Sequence, residues 1–202
     1  MRTKLIFAMM GVITVVYSIV VILHMVLFRD RDVFFRYARS WSKALCWASG
    51  VKVTTIGAEN LEPGKRYVYA STHNSLYDIP VLLVGIPDNI RMMYKIELEK
   101  APIFGWALKM SPFIAVNRER SREASGTLDD VVETMSSGQS VLVFPEGTRS
   151  TTGKLGPFRR GAIAIAVRSQ TDITPVVLRG TADIYPHGAK TIVPGPVTCE
   201  IL

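Results

Sequence analysis

His73 and Asp78 stand five residues apart in the run His73-Asn74-Ser75-Leu76-Tyr77-Asp78. On a continuous helix two side chains at that spacing point about 140° apart, and on a strand they face opposite sides. They meet only where the chain bends between them, as it does where a strand passes into a helix, and Asn74-Ser75 suits such a bend. An aspartate bonded to one imidazole nitrogen fixes the tautomer and leaves the other nitrogen as a base. No Gly-x-Ser-x-Gly elbow accompanies the pair, and neither Cys46 nor Cys199 has catalytic context. A base of this kind would therefore activate a substrate hydroxyl rather than a nucleophile of the protein itself. Taken alone, the two residues equally describe a surface histidine beside a helix-capping aspartate.

The second chemistry-bearing run is Phe144-Pro145-Glu146-Gly147-Thr148-Arg149-Ser150, directly after an apolar segment. Gly147 lets backbone N–H groups approach a ligand, and Thr148 and Arg149 are phosphate-binding types. Glu146 could hold Arg149 or bind a substrate hydroxyl. No Gly-x-x-x-x-Gly-Lys-[Ser/Thr] loop is present, so nucleotide phosphate is not implied. Arg118 closes the run PFIAVNR and Lys95 follows RMMY, so Lys95, Arg118 and Arg149 all stand at expected strand exits. Each alone reads as a solvated surface charge; their common placement favours an anion seat. The histidines, at 24, 73 and 187, do not cluster, and no His-Glu-x-x-His is present, so a metal site has no support. His187 reads as a loop residue.

These residues need a scaffold, and the sequence from residue 51 onward alternates short apolar strands with helical stretches. Strands are expected at 51–57, 66–71, 90–94, 113–116, 140–145 and 173–178, with a short one near Ile192. Helices are expected at 78–84, 102–110, 121–136 and 161–168. In 121–136, Leu128, Val131, Val132 and Met135 share a face. The run 140–145 is apolar almost throughout, as a strand buried on both faces would be. This alternation predicts an α/β domain with a mixed, largely parallel sheet flanked by helices. In that class, sites form in the loops at strand ends.

The chain has 202 residues with 48% apolar and 20% charged side chains, which excludes disorder, and two cysteines exclude a disulfide scaffold. The formal charge of +7 is uneven: residues 1–50 carry seven basic and two acidic groups, and residues 51–202 carry 17 and 15. A nucleic-acid binder would place its basic stripe in the folded domain, so no nucleic-acid partner is expected. The excess instead flanks Leu5 to Phe28, 24 residues without Asp, Glu, Lys or Arg. As a helix this run reaches about 36 Å, against about 30 Å for a hydrocarbon layer. It is too long for a signal peptide's apolar region and ends in FRDRD rather than at small residues. Its lysine/arginine flanks are nearly balanced, so they fix no orientation. In 33–48, Phe34, Tyr37, Trp41 and Leu45 share one helical face and Arg36, Arg39, Ser40 and Lys43 another. Aromatics opposite a basic face predict a helix at a membrane interface, with a core-facing helix as the alternative.

With these runs in order, the chain resembles the glycerolipid acyltransferase family, most of all its bacterial 1-acylglycerol-3-phosphate acyltransferases. The family's His-x-x-x-x-Asp motif is matched by His73 and Asp78, and its block ending in Arg by PFIAVNR with Arg118. FPEGTRS matches residues 144–150 in full, and ITPVVL supplies the proline-centred block with Pro175. The stretch from Lys95 to Leu98, followed by Pro102 and Gly105, also fits. The likeness runs from about residue 51 to 198, with Asn117 standing where an acidic residue is often found. The resemblance implies direct transfer without an acyl-enzyme. His73 would take the proton of a lysophosphatidate hydroxyl, Asp78 would orient His73, and the hydroxyl would attack a thioester of coenzyme A or acyl carrier protein. Lys95, Arg118 and Arg149 would hold the glycerol phosphate, with Glu146, Gly147 and Thr148 shaping its seat. No cofactor is implied beyond that thioester co-substrate.

The family likeness also implies an N-terminal membrane-embedded helix pair at 1–50, an acyltransferase domain at 51–202, and a bacterial inner membrane with the catalytic domain on its cytoplasmic side. The product would be phosphatidate. Other lysolipid acceptors, lyso-ornithine lipids and lysophospholipids with larger heads, remain open. The final VTCEIL reads as the opening of a strand, so the chain is expected to continue past 202.

Overall fold

The computed structural model describes residues 2–30, 33–116, 124–152 and 154–202, with the side chains of 124–127 left aside. Helix α1 (Arg2–Phe28) turns back into α2 (Val33–Ser49), which leads into β1 (Val51–Ile56). Then follow β2 (Val68–Ser71), α3 (Asp78–Gly85), β3 (Arg91–Lys95), α4 (Phe104–Met110), β4 (Ile114–Val116), α5 (Ala124–Ser136) and β5 (Val141–Val143). The chain closes with α6 (Gly161–Ser169), β6 (Ile173–Arg179), α7 (Thr181–Ile184) and β7 (Gly195–Ile201). Among the described residues the strands form one sheet in the order β1-β7-β6-β2-β5-β3-β4. Its neighbours are parallel except β6 and β7. The mixed, largely parallel sheet is the one the alternation predicts.

Both faces of the sheet are covered. On one, Tyr69, Leu142 and Val176 join a core with residues of α1 to α4. On the other, Val68, Val141 and Val143 pack with Val131 and Met135 of α5 and Ala162, Ile165 and Ala166 of α6. Successive residues of β5 thus enter opposite cores, which is why its sequence is apolar without alternation. The strand expected near Ile192 is corrected: Ile192 is buried outside any strand, and the last strand starts at Gly195. Pro196, with no N–H, is tolerated because β6 pairs only with Thr198 to Ile201, leaving Pro196 beyond that ladder.

The expected membrane-embedded helix pair is also corrected. Among the described residues, α1 alone is long and apolar enough to cross a membrane. Helix α2 buries Val33, Phe34, Phe35, Ala38, Leu45 and Cys46, and its apolar face is taken by protein. The Arg39 guanidinium, read from sequence as part of a lipid-facing basic stripe, instead donates to the carbonyls of Leu83, Ile86, Pro87 and Asp88 at 2.9–3.3 Å. It satisfies carbonyls left unpaired at the C-terminus of α3.

The polar interruptions of α1 have partners. Tyr17 bonds Ser40, His24 Nδ1 pairs with the Tyr37 hydroxyl, and the Thr14 hydroxyl accepts from Trp41 Nε1. Ser18 donates to the Thr14 carbonyl. These bonds fasten α1 along α2 and leave Leu5, Val12, Val16, Leu23, Val26 and Leu27 of α1 exposed.

Candidate active site

Strands β2 and β5 are parallel neighbours, so the loops that leave their C-terminal ends meet. Strand β2 stops at Ser71, and α3 opens at Asp78 after a turn through residues 74–77. That turn is the bend the spacing requires. The His73 Nδ1–H donates to Asp78 Oδ2 at 2.8 Å. The same carboxylate oxygen accepts the N–H groups of Asn74 (2.7 Å) and Ser75 (2.8 Å). Asp78 is fully buried in the first turn of α3, where the helix dipole favours its charge. A carboxylate accepts only, so Nδ1 carries the ring proton and Nε2 is left as the basic lone pair. The His73 side chain keeps 16% of its surface accessible, enough for a substrate hydroxyl to reach it. Its ring stacks on Phe144 with centroids 3.9 Å apart and planes 18° from parallel.

The turn is pinned from behind. Buried Ser75 donates through Oγ to the Tyr185 carbonyl at 2.7 Å and accepts the Tyr77 N–H at 3.1 Å. The Tyr77 hydroxyl donates to Ser49 Oγ of α2, and burial pushes this phenol's pKa up. From the β5 side, Glu146 clamps the backbone. Its Oε1 accepts the His73 N–H at 3.1 Å and its Oε2 accepts the Gly156 N–H at 2.9 Å. The Ser150 N–H donates to the His73 carbonyl at 2.7 Å. Gly147 turns this loop at φ 72°, in the left-handed region that favours glycine, and a Cβ there would lie 2.7 Å from Arg159 Nε and displace that side chain.

His73 opens onto a cavity of about 400 Å³ bounded by α1, α2, α3, α4 and β3. Tyr17, Val21, Trp41, Leu83, Phe104 and Leu108 are among its mainly apolar walls, with Lys95 and Arg149 as its basic members. Lys95 is half exposed, with Glu97 at 3.6 Å. The structure therefore brings His73, Lys95 and Arg149 to one cavity, with Asp78 behind the imidazole. Glu146 and Gly147 shape the backbone beneath His73, and no ion pair joins Glu146 to Arg149 among the described residues. Thr148 is exposed and does not line the cavity. Arg118 lies outside the described residues. His187 is exposed in the loop after α7.

Three contributors escape the sequence reading. Phe144 lies inside the FPEGTRS run, so its platform role was within reach. The Ser75–Tyr185 staple joins residues 110 apart and leaves no local pattern. The cavity walls from α1 and α2 come from segments read as lipid-facing.

Known proteins resemble this chain in sequence and in fold. A family model described as Acyltransferase matches residues 52–179, more than half of the chain and spanning the histidine and Glu146 loops. A chloroplastic 1-acyl-sn-glycerol-3-phosphate acyltransferase from Brassica napus is 35% identical over 167 residues, 79% of this chain and 48% of its own. The 1-acyl-sn-glycerol-3-phosphate acyltransferase alpha of Mus musculus is 32% identical over 153 residues, 75% of this chain and 53% of its own. The chain thus spans about half the length of the curated relatives it matches. The crystal structure of the 1-acyl-sn-glycerophosphate acyltransferase PlsC from Thermotoga maritima superposes with a TM-score of 0.83 at 27% identity, covering 100% of this chain and 83% of that one. A histidine–aspartate pair at a strand-to-helix turn, an FPEGTRS loop clamped beneath it and a matching family model lead to one conclusion: the chain belongs to the glycerolipid acyltransferase family.

Proposed function

We propose that the protein transfers an acyl group from an acyl thioester to the free hydroxyl of a 1-acylglycerol 3-phosphate, giving phosphatidate. The observation that carries this reading is a His73–Asp78 pair facing an apolar cavity whose basic members are Lys95 and Arg149. An acceptor with a phosphate head and an acyl tail needs both features at one place. His73 Nε2 accepts the acceptor's hydroxyl proton as its oxygen attacks the thioester carbonyl. Asp78 holds the ring and stabilises the imidazolium that forms. On collapse, the C–S bond breaks and the proton passes from His73 to the departing thiolate. Lys95 and Arg149 neutralise the phosphate, and Arg118 and Thr148 are assigned to the same seat only by their places in the family motifs. Glu146 and Gly147 hold the loop geometry beneath the imidazole.

The apolar cavity suits an acyl chain, each buried methylene contributing about 0.8 kcal/mol. The donor is acyl-coenzyme A or acyl carrier protein, both water-soluble, which supports a catalytic domain on the cytoplasmic side of a bacterial inner membrane. The exposed apolar face of α1 supports residues 1–50 as the anchoring portion and 51–202 as the acyltransferase domain.

The test is a donor-by-acceptor panel on wild type and His73→Ala in lipid. Lysophosphatidate, other lysolipids and glycerol 3-phosphate are each offered with both donors. Phosphatidate made by wild type and not by the folded variant is the expected result. Product from a different acceptor would keep the chemistry and change the substrate, and a fully active His73→Ala would remove the base assignment.

A further inference from the structure

Between Glu146 and Asp172 the sequence contains no acidic residue and five basic ones, Arg149, Lys154, Arg159, Arg160 and Arg168. Arg168 is paired with Asp129 on the far helix layer. The others belong to the loop that leaves β5 beside His73. Within it Leu155 is 66% exposed and Phe158 is 64% exposed. These two side chains are not merely loose. The Gly156 N–H is held by Glu146 and the Arg159 N–H by the Pro145 carbonyl at 2.8 Å, with Pro157 stiffening the span. The backbone is fixed on either side of each apolar residue, so both are presented outward, and Lys154, Arg159 and Arg160 are exposed beside them.

The same end of the sheet receives the start of α1. Phe7 packs edge-on against Tyr185 at 5.8 Å, and Tyr185 is the residue stapled to Ser75. The unpartnered apolar face of α1, opening with Arg2, Lys4 and exposed Leu5, therefore begins at the end of the sheet from which the loop after β5 also leaves. Apolar side chains on a fixed protrusion, ringed by cations and at the same end of the sheet as the start of an apolar helix face, fit a bilayer carrying anionic headgroups. An acidic carrier protein would meet the same charges, but two protruding side chains offer it no groove.

We propose that residues 154–160 form a second membrane contact, with Leu155 and Phe158 entering the acyl region and Lys154, Arg159 and Arg160 on anionic headgroups. This contact sets the cavity mouth against the leaflet that holds the acceptor, and so rests on the reading of a membrane-lipid substrate.

The test uses depth rather than turnover alone. Cys46 and Cys199 are buried, and burial pushes their thiol pKa values up to about 11 and about 12. An introduced surface cysteine is therefore labelled selectively. Leu155→Cys and Phe158→Cys, in the full chain, are labelled with an environment-sensitive fluorophore and placed in phosphatidylglycerol/phosphatidylcholine vesicles containing nitroxide-bearing lipids. Glu59→Cys serves as reference. Glu59 follows β1, which runs opposite to β2, and so stands at the far end of the sheet. Quenching at 155 and 158 several-fold above that at 59 is expected. Equal, low quenching at all three sites in vesicle-bound protein would overturn the proposal. So would quenching replaced by protection from acyl carrier protein, which would assign the loop to a protein donor.

In a second measurement, Leu155→Ser/Phe158→Ser lowers turnover of vesicle-borne acceptor by at least tenfold, the loss that removal of even one apolar side chain from the acyl region implies. Turnover of micellar acceptor is unchanged. Equal losses in both would also overturn the proposal. An enzyme inactive toward every acceptor would defeat the substrate reading while leaving the depth result to be read on its own.

Discussion

Two residues of the FPEGTRS loop divide the work of the site in opposite ways. Arg149 lines the cavity with His73 and pairs with no acidic side chain among the described residues, so its charge is available to an anionic head. Arg149→Ala should lower kcat/KM at least tenfold for phosphate-bearing acceptors, roughly the worth of one charge-assisted contact, and much less for phosphate-free ones. Equal losses for both acceptor classes would remove it from the phosphate seat. Glu146 is spent on two backbone N–H groups, one of them that of His73. Glu146→Gln keeps one acceptor oxygen and sets an amide N–H2 against one of the two backbone donors. It should lower kcat with little change in the acceptor's KM, and a KM effect alone would show that Glu146 touches substrate. The contact between His73 and Asp78 was legible because the spacing forbids it except across a bend. Glu146's partner was not, since a carboxylate read in sequence gives no sign of which backbone it will meet.

At the scale of elements, α3 carries Asp78 at one end and depends on its neighbours for stability. Eight residues are too few to hold a helix alone. It is kept by Arg39 at its C-terminus and by close packing on β7, where a Cβ at Gly85 would lie 2.7 Å from both Cβ and Sγ of Cys199. Gly85→Ala should therefore destabilise the fold by about 1–3 kcal/mol through overpacking, despite the better helix propensity of alanine. An unchanged or raised melting temperature would show that α3 and β7 separate easily. The strands and helices of the sheet were legible because their periodicities are local. The faces of α2 were misread because aromatics opposite bases look alike whether the aromatics meet lipid or protein. Only the carbonyls at residues 83–88, far along the chain, decide where Arg39 goes.

For the molecule as a whole, the first fifty residues supply cavity wall as well as the one helix long and apolar enough, among the described residues, to cross a membrane. Phe34, Ala38 and Cys46 share a core with Tyr69, Leu82 and Val197, and Tyr17, Val21 and Trp41 close the cavity. Removing residues 1–50 should thus yield a chain that aggregates and is cut readily by protease, and a soluble, cooperatively folded 51–202 fragment would refute this. The charge excess and the apolar run predict contact with lipid. They give no sign that α1 lies along α2, because the hydroxyl and imidazole bonds that hold it there pair residues of two separate helices.

The two-ended restraint on α3 also bears on which changes of chain length the protein can accept. Asp78 must meet His73 at one end while the carbonyls from Leu83 onward must meet Arg39 at the other. One residue inserted between them would rotate one end by about 100° relative to the other, so the interval cannot lengthen or shorten without losing either the His73–Asp78 contact or the cap. The connection between β1 and β2 is tied at Asn60 to the Ile201 carbonyl and at Arg66 to the Met135 and Ser169 carbonyls, but the exposed turn of Glu62 to Lys65 between those ties can absorb insertions. Natural length variation among chains built this way should therefore collect at residues 62–65 and stop short of 73–88.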